Sequence, residues 1–217
     1  MSSRLHLAVV VSQLFQENAY IAYLEGRKDC LVFDPGLDSD LIIEKLAELK
    51  VEPVAIVNTH GHADHIAGNA ALKKAWPQAP IVIGTNDAKK LTSPIENLSR
   101  SYGVDLISPK ADQLVNEGDV YSAAGIDLEV YDTPGHSVGH VVFVWKGGTP
   151  WVVFGGDVLF HGSIGRTDFP DGSFEQLASA IRSKLYTLPD DTLVLPGHGP
   201  TTTIGFEKQH NPFVPGP

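Results

Sequence analysis

VAIVNTHGHADHIAG, residues 54–68, runs from four apolar residues straight into a cluster of metal-ligand side chains. Residues 54–57 are short, apolar and partly β-branched, which predicts a buried strand. Just past its end stands H-x-H-x-D-H: His60, His62, Asp64 and His65, which include three of the chain's 9 histidines. The i, i+2 spacing of His60 and His62 suits a loop leaving a strand. It differs from H-E-x-x-H, which puts two histidines on one helical face. Gly61 between them lets the backbone turn tightly. Asp64 and His65 fall where a following helix begins and aim to a different side, as two neighbouring ions would require. One histidine after a strand is more often packed or solvated than metal-bound, so the cluster gains meaning only with partners elsewhere.

Three further strand ends supply them. YDTPGHS presents His136, VFGGDV presents Asp157 and VLPGHGP presents His198, each directly after a glycine. Strand ends of open α/β sheets are where sites form. Seven ligands are too many for one zinc, which takes about four. They suit two ions: His60, His62 and His136 on one, Asp64, His65 and His198 on the other, with Asp157 between them. Each ion keeps an open position, which marks a catalytic rather than a structural site. Asp64 and Asp157 are the catalytic candidates. Zinc is the expected metal, and imidazole with carboxylate suits iron or manganese too. Asp34, in FDPG, reads as a turn residue supporting the site from behind. His140 precedes the strand pattern VVFVW and reads as a supporting or structural residue. His6 and His210 read as structural and surface residues. His161, in the loop after Asp157, is a candidate substrate contact.

The pattern around these residues is mixed α/β. Strands are expected at 5–11, 18–24, 30–33, 54–57, 81–84, 120–122, 126–131, 141–145, 151–154 and 193–195, with helices at 39–50, 66–76 and 173–185. Residues 85–110 read as an irregular loop with a short helix, and the Pro-rich tail NPFVPGP as extended on the surface. No linker divides the chain, so one domain over 1–217 is expected. CLVFDPG echoes WVVFGGD, and NTHGHADH echoes DTPGHSVGH, which suggests two similar halves meeting at one site.

Composition narrows the function classes. Hydrophobic residues make up 42% and charged residues 19%, ordinary for a globular chain. The formal charge of −10 argues against nucleic acid or an anionic membrane as partner. Cys30 is the only cysteine, set in a strand pattern, so no internal disulfide is expected. No apolar run approaches the ~20 residues of a membrane span. The N-terminus lacks a signal-peptide pattern. A cytoplasmic location and a small-molecule substrate are the expectations; the oligomeric state is left open.

H-x-H-x-D-H followed by His136, Asp157 and His198 in this order resembles the metallo-β-lactamase superfamily, from LVFDPG through LPGHGP. That resemblance implies a four-layer αββα sandwich with the metals at one edge. THGHADH, TPGHSVGH, GGDVLF and GRTDFPDGS are similar to the glyoxalase II (hydroxyacylglutathione hydrolase) branch, most of all its short relatives without the C-terminal helical domain. The implied reaction is hydrolysis of a glutathione thioester such as S-lactoylglutathione by a hydroxide bridging two ions. Arg166 corresponds to the branch's glutathione-binding basic residue, and a planar guanidinium suits a carboxylate. Its usual tyrosine neighbour is Asp168 here, and the alternative to a substrate contact is that the two side chains pin their own loop to each other. The Glu-Tyr pair that follows the last metal histidine in that branch is Gly199-Pro200. A mononuclear-iron sulfur dioxygenase acting on glutathione persulfide also resembles this chain through GRTDF. It would leave Asp64, His65 and His198 idle. Lactone and phosphodiester hydrolysis are the other activities the superfamily implies.

Overall fold

The computed structural model describes residues 4–216, so the first three residues of the N-terminal reading and Pro217 of the tail lie outside it. Strands β1 (Leu5–Val11), β2 (Asn18–Leu24), β3 (Asp29–Phe33), β4 (Glu52–Val57), β5 (Ile81–Gly84) and β6 (Gln113–Val115) form one sheet in that order. β1, β2 and β3 pair antiparallel, and β3 through β6 run parallel. The second sheet contains β7 (Val120–Ala123), β8 (Ile126–Asp132), β9 (Val141–Trp145) and β10 (Val152–Gly156). Beyond a small ribbon of β11 (Leu159–Phe160) and β12 (Ser163–Ile164), the sheet is completed by β13 (Leu193–Pro196) and β14 (Thr202–Thr203). Its order is β14-β13-β10-β9-β8-β7, with β10 and β13 parallel.

Side-chain alternation explains why the strands read as continuous apolar runs. Successive residues point to opposite faces of a sheet. Leu31 and Phe33 of β3 face Phe143 and Phe154 in a core between the sheets. Phe33 stacks on Phe154 at 3.7 Å and meets Phe143 edge-on at 5.9 Å. Val32 faces outward, onto Ile42 and Leu46 of helix α1 (Ser39–Leu49). Val142 and Val144 of β9 face outward onto Leu177 and Ile181 of helix α4 (Phe174–Ser183). Both faces of both sheets are thus covered, giving helix, sheet, sheet, helix.

The helix expected over 66–76 is two: α2 (Ala63–Ile66) and α3 (Asn69–Ala75). Gly68 separates them because its amide bonds the Pro35 carbonyl at 2.7 Å, and a Cβ there would lie 2.9 Å from the Gly36 carbonyl oxygen. Residues 85–110 contain two 3-10 stretches, Thr85–Thr92 and Ser99–Tyr102. Helix α4 (Phe174–Ser183) starts at Ser173, whose Oγ accepts from the Gln176 amide and whose amide bonds the Gly135 carbonyl. The tail differs in part from expectation. Helix α5 (Ile204–His210), capped by Thr203, leads into a tail that keeps Pro212, Phe213 and Pro215 on the surface but is anchored through Asn211 and Val214. Val214 is fully buried, and the Tyr186 hydroxyl donates to its carbonyl at 2.7 Å. Among the described residues no helix is long and apolar enough to cross a membrane.

Candidate metal centre

Four loops meet where the two sheets end side by side. The β4 end delivers His60 and His62, and α2 turns Asp64 and His65 inward. The loops after β8, β10 and β13 deliver His136, Asp157 and His198. His60 Nε2 lies 3.1 Å from His62 Nδ1, which lies 2.9 Å from His136 Nε2. His198 Nε2 lies 3.3 Å from Asp64 Oδ2. Asp157 stands between the groups: Oδ1 is 3.4 Å from His65 Nε2, and Oδ2 is 3.4 Å from His136 Nε2 and 3.6 Å from His198 Nε2. Three sets of candidate ligand atoms lie within 4.8 Å of one another: His60/His62/His136, His60/His65/Asp157 and Asp64/His65/His198. All seven residues named from the sequence are brought together; two of the sets are the expected groups, and the third joins His60 to His65 and Asp157 across them.

The supporting hydrogen bonds orient the rings. Asp34 accepts from the Thr59 amide and from Thr59 Oγ1, each at 2.7 Å. The hydroxyl proton is thereby committed, so His60 Nδ1 must donate to Thr59 Oγ1 at 3.1 Å. His65 Nδ1 faces Asp34 at 3.2 Å, His136 Nδ1 donates to the Arg166 carbonyl at 2.8 Å, and His198 Nδ1 donates to the Phe15 carbonyl at 3.1 Å. In these four rings Nε2 is the nitrogen turned to the centre, while His62 presents Nδ1 to His60 and His136, and either ring nitrogen can bind a metal. His140 supports from behind. Its Nε2 accepts from the Asp157 amide at 3.0 Å and its Nδ1 meets Thr133 Oγ1. Asp34 and His140 thus hold the supporting positions read from the sequence.

The donor set fits divalent cations. His65 Nε2 and Asp157 Oδ1, both turned to the centre, are buried without hydrogen-bond partners, a costly state for polar atoms unless a ligand binds. Burial holds the pKa of His60, His62 and His136 below the ordinary imidazole value, leaving them neutral donors. Burial also disfavours charge on His65, but Asp157 and Asp64 outweigh it and hold its pKa well above the ordinary value. Burial would raise Asp157, yet His65 and the neighbouring histidines keep it well below the carboxylate range. Carboxylates that demand positive charge between neutral imidazoles favour a metal ion.

Close packing at two glycines enforces the geometry. Gly156, at φ +46°, sits where a Cβ would strike Thr59 Oγ1. A Cβ at Gly197 would strike Asp157 Oδ1 and lie 2.6 Å from His65 Cε1.

Several contributors escaped the sequence reading. Asp87, fully buried, accepts from the amides of Gly61 and Gly139, each at 2.8 Å, and from Ser137 Oγ at 2.7 Å. It therefore ties the His60/His62 loop to the His136 loop. Lys90 Nζ, 3% exposed, donates to Ser137 Oγ at 2.6 Å and Asp171 Oδ2 at 2.7 Å, extending the brace to the 165–172 loop. TNDAKKLT carries no pattern that marks these residues as buried. Glu17 is also fully buried, with both carboxyl oxygens unpartnered and its pKa raised by burial.

A cavity of about 700 Å³ opens over the cluster and is lined by His62, Asp64, His136, Asp157 and His198. Arg166 reaches its wall with its fork on Asp168, both bonds at 2.7 Å, and its guanidinium 4.4 Å above the Phe169 ring. The internal Arg166–Asp168 pair is thus formed. His161 is not among the lining residues. It is exposed and stacks on Phe206 at 4.5 Å, outside the cavity wall where a substrate contact was expected.

An αββα sandwich carrying a histidine–aspartate centre where its two sheets end defines a class of metal-dependent hydrolases. Residues 13–198 match the metallo-beta-lactamase superfamily. The hydroxyacylglutathione hydrolase GloC of Haemophilus influenzae is 35% identical over 215 residues, covering 97% of this chain and 98% of its own. The crystal structure of the BLEG-1 B3 metallo-beta-lactamase superposes with TM-score 0.91 at 36% identity, covering 96% of this chain and 99% of that one. TTHA1623 in a di-iron-bound form superposes with TM-score 0.84 at 33% identity, covering 95% and 99%. The chain belongs to the metallo-beta-lactamase superfamily and is a metallo-hydrolase of that family.

Proposed function

We propose that the protein hydrolyses a thioester of a small thiol, with S-lactoylglutathione as the reference substrate. The observation that carries this reading is the Asp157 carboxylate placed between two sets of ligands, with its oxygens 3.4 Å from both His65 and His136. His60, His62 and His136 would hold one ion, and Asp64, His65 and His198 the other. When bound, divalent ions supply a water of lowered pKa and a Lewis acid for a carbonyl oxygen. The residues do the rest. Asp157 holds the two ligand sets in register. Asp64, with its side chain 20% exposed, faces the cavity and orients the attacking water. In the overall reaction the C–S bond breaks, a C–O bond forms, and the thiol leaves as thiolate. A free thiol has a pKa of ~8.5, so its departure needs no strong general acid. Arg166 takes a substrate carboxylate by exchanging it for Asp168.

The GloC relative supports the thioester, and the complete Asp64/His65/His198 set supports two ions over a mononuclear dioxygenase site. Zinc is the proposed metal, with iron, the ion in the di-iron-bound neighbour, as the alternative. The charge of −10 suits a small-molecule substrate in the cytoplasm rather than nucleic acid. The test is metal analysis of the purified protein with turnover of S-lactoylglutathione beside a lactone and glutathione persulfide. Two ions per chain with thioester cleavage is the expected result. An intact thioester with oxygen consumed on the persulfide would overturn the reading.

A further inference from the structure

The wall of the cavity over the metal centre is largely apolar. The β1–β2 turn contributes Leu14 and Phe15, residues 99–106 contribute Tyr102, Val104 and Leu106, and β12 contributes Ile164. Leu14 is 75% exposed, Tyr102 60% and Val104 56%. Large side chains left this open around one concavity mark a binding surface rather than scattered surface residues. Phe15 and Tyr102 meet edge-on at 5.3 Å, so the two segments form one continuous wall.

The wall is fixed to the metal ligands. The Phe15 carbonyl accepts from His198 Nδ1, and the Asn97 carbonyl accepts from the Ala63 amide at 2.9 Å, next to His62 and Asp64. A group lying on this wall is therefore held in register with the reacting bond. Charge points the same way. Among the lining residues Arg166 is the only Lys or Arg, and Asp168 already accepts from its Nε and Nη2. A peptidic thiol with two carboxylates finds little fixed positive charge here, whereas an aliphatic chain or aryl ring finds six apolar side chains.

We propose that the cleft is an acyl-binding site, and that the preferred substrates are thioesters whose acyl group is a medium-length aliphatic chain or an aryl ring. The identity of the cleaved bond rests on the thioesterase reading above; the preference of the wall does not. Leu14, Tyr102 and Val104 are the specificity-determining residues. The acid released carries the chain, and the thiol leaves through the open mouth.

The experiment has two arms on metal-loaded protein. In the first, acetyl, lactoyl, butanoyl, hexanoyl, octanoyl and benzoyl thioesters of glutathione are compared by kcat/KM. In the second, the corresponding S-alkyl glutathiones, which have no bond to hydrolyse, are titrated by calorimetry. Each methylene covered by the wall should raise kcat/KM and affinity by about twofold to fourfold. Leu14→Asp and Val104→Asp lie at exposed positions and should flatten both slopes with two ions retained. Thioester cleavage with no dependence on chain length in either arm would overturn the acyl site and leave the thioesterase reading standing. Chain-length-dependent binding with no thioester cleaved would support the acyl site and overturn the thioesterase reading. A flat binding series overturns the proposal whatever the first arm shows.

Discussion

Asp157 concentrates the demands of the site on one side chain. Its two oxygens face histidines from both ligand sets, its amide is held by His140, and Gly197 leaves it the space to lie there. Its oxygens lie within 3.6 Å of members of both sets, so its removal should affect both positions rather than one. The Asp157→Ala variant should purify with neither ion held tightly, as measured by metal analysis after dialysis. Two ions retained in that variant would contradict the role between them. His62→Ala, by contrast, removes a member of one set only, and one ion should remain. Sequence identified Asp157 because a carboxylate directly after a Gly-Gly strand end is a recognisable pattern. It could not identify Asp87. The function of Asp87 lies in backbone amides it meets across the fold, and no spacing within TNDAKKLT encodes those partners.

At the scale of elements, the 3-10 stretch Thr85–Thr92 is a brace. Lys90 sits buried between Asp87, 3.7 Å away, and Asp171, 2.7 Å away. Replacing it with methionine leaves two carboxylates without their cation, a loss of about 3–5 kcal/mol. Because Asp87 orients the loops of His60, His62 and His136, Lys90→Met should also weaken metal binding about tenfold or more in a chelator competition. Lost stability with unchanged metal affinity would make the brace purely structural. Burial pushes the Asp171 carboxyl up, but the bond and charge of Lys90 more than reverse this and hold it low. A depressed carboxylate stabilises the fold above its unfolded value and loses that contribution as pH falls through the folded one. Asp171→Asn should therefore be less stable than the parent at pH 7, and denaturant titrations should show the gap closing below about pH 3.9. A gap that does not narrow as pH falls below that value would contradict the Lys90 partnership. Strands β2, β3, β9 and β10 were legible in sequence because both of their faces are buried. The break between α2 and α3 was not, because Gly68 is fixed by Pro35 and Gly36 on a distant loop. The anchoring of the tail was missed for the same reason: its proline content describes backbone stiffness, while the burial of Val214 depends on α4 and on Tyr186.

At the scale of the whole molecule, the ligands divide between the two sheets. His60, His62, Asp64 and His65 follow β4 of the first sheet, and His136, Asp157 and His198 follow strands of the second. The echo between CLVFDPG and WVVFGGD has a physical counterpart. Asp34 after β3 and Asp157 after β10 approach His65 from its two ring nitrogens, at 3.2 and 3.4 Å. Along most of their length the sheets are joined by apolar contacts, with Phe33, Phe143 and Phe154 at the centre. At the ligand end they are joined by histidine and aspartate, which hold together only with positive charge between them. Bound ions should therefore act as a staple across the sandwich. An ion that binds only the native state, present at 1,000 times its Kd, adds about 4 kcal/mol of stability. Chelation of the metal-loaded protein should lower Tm by several degrees, read by calorimetry at fixed protein concentration. Asp157→Ala supplies the control. With no ions held, its Tm should match that of the chelated parent more closely than the loaded one and should not respond to chelator. A large chelator-induced drop in that variant would mean that the ions are anchored within one sheet, and that the apolar core alone sets how the two halves meet.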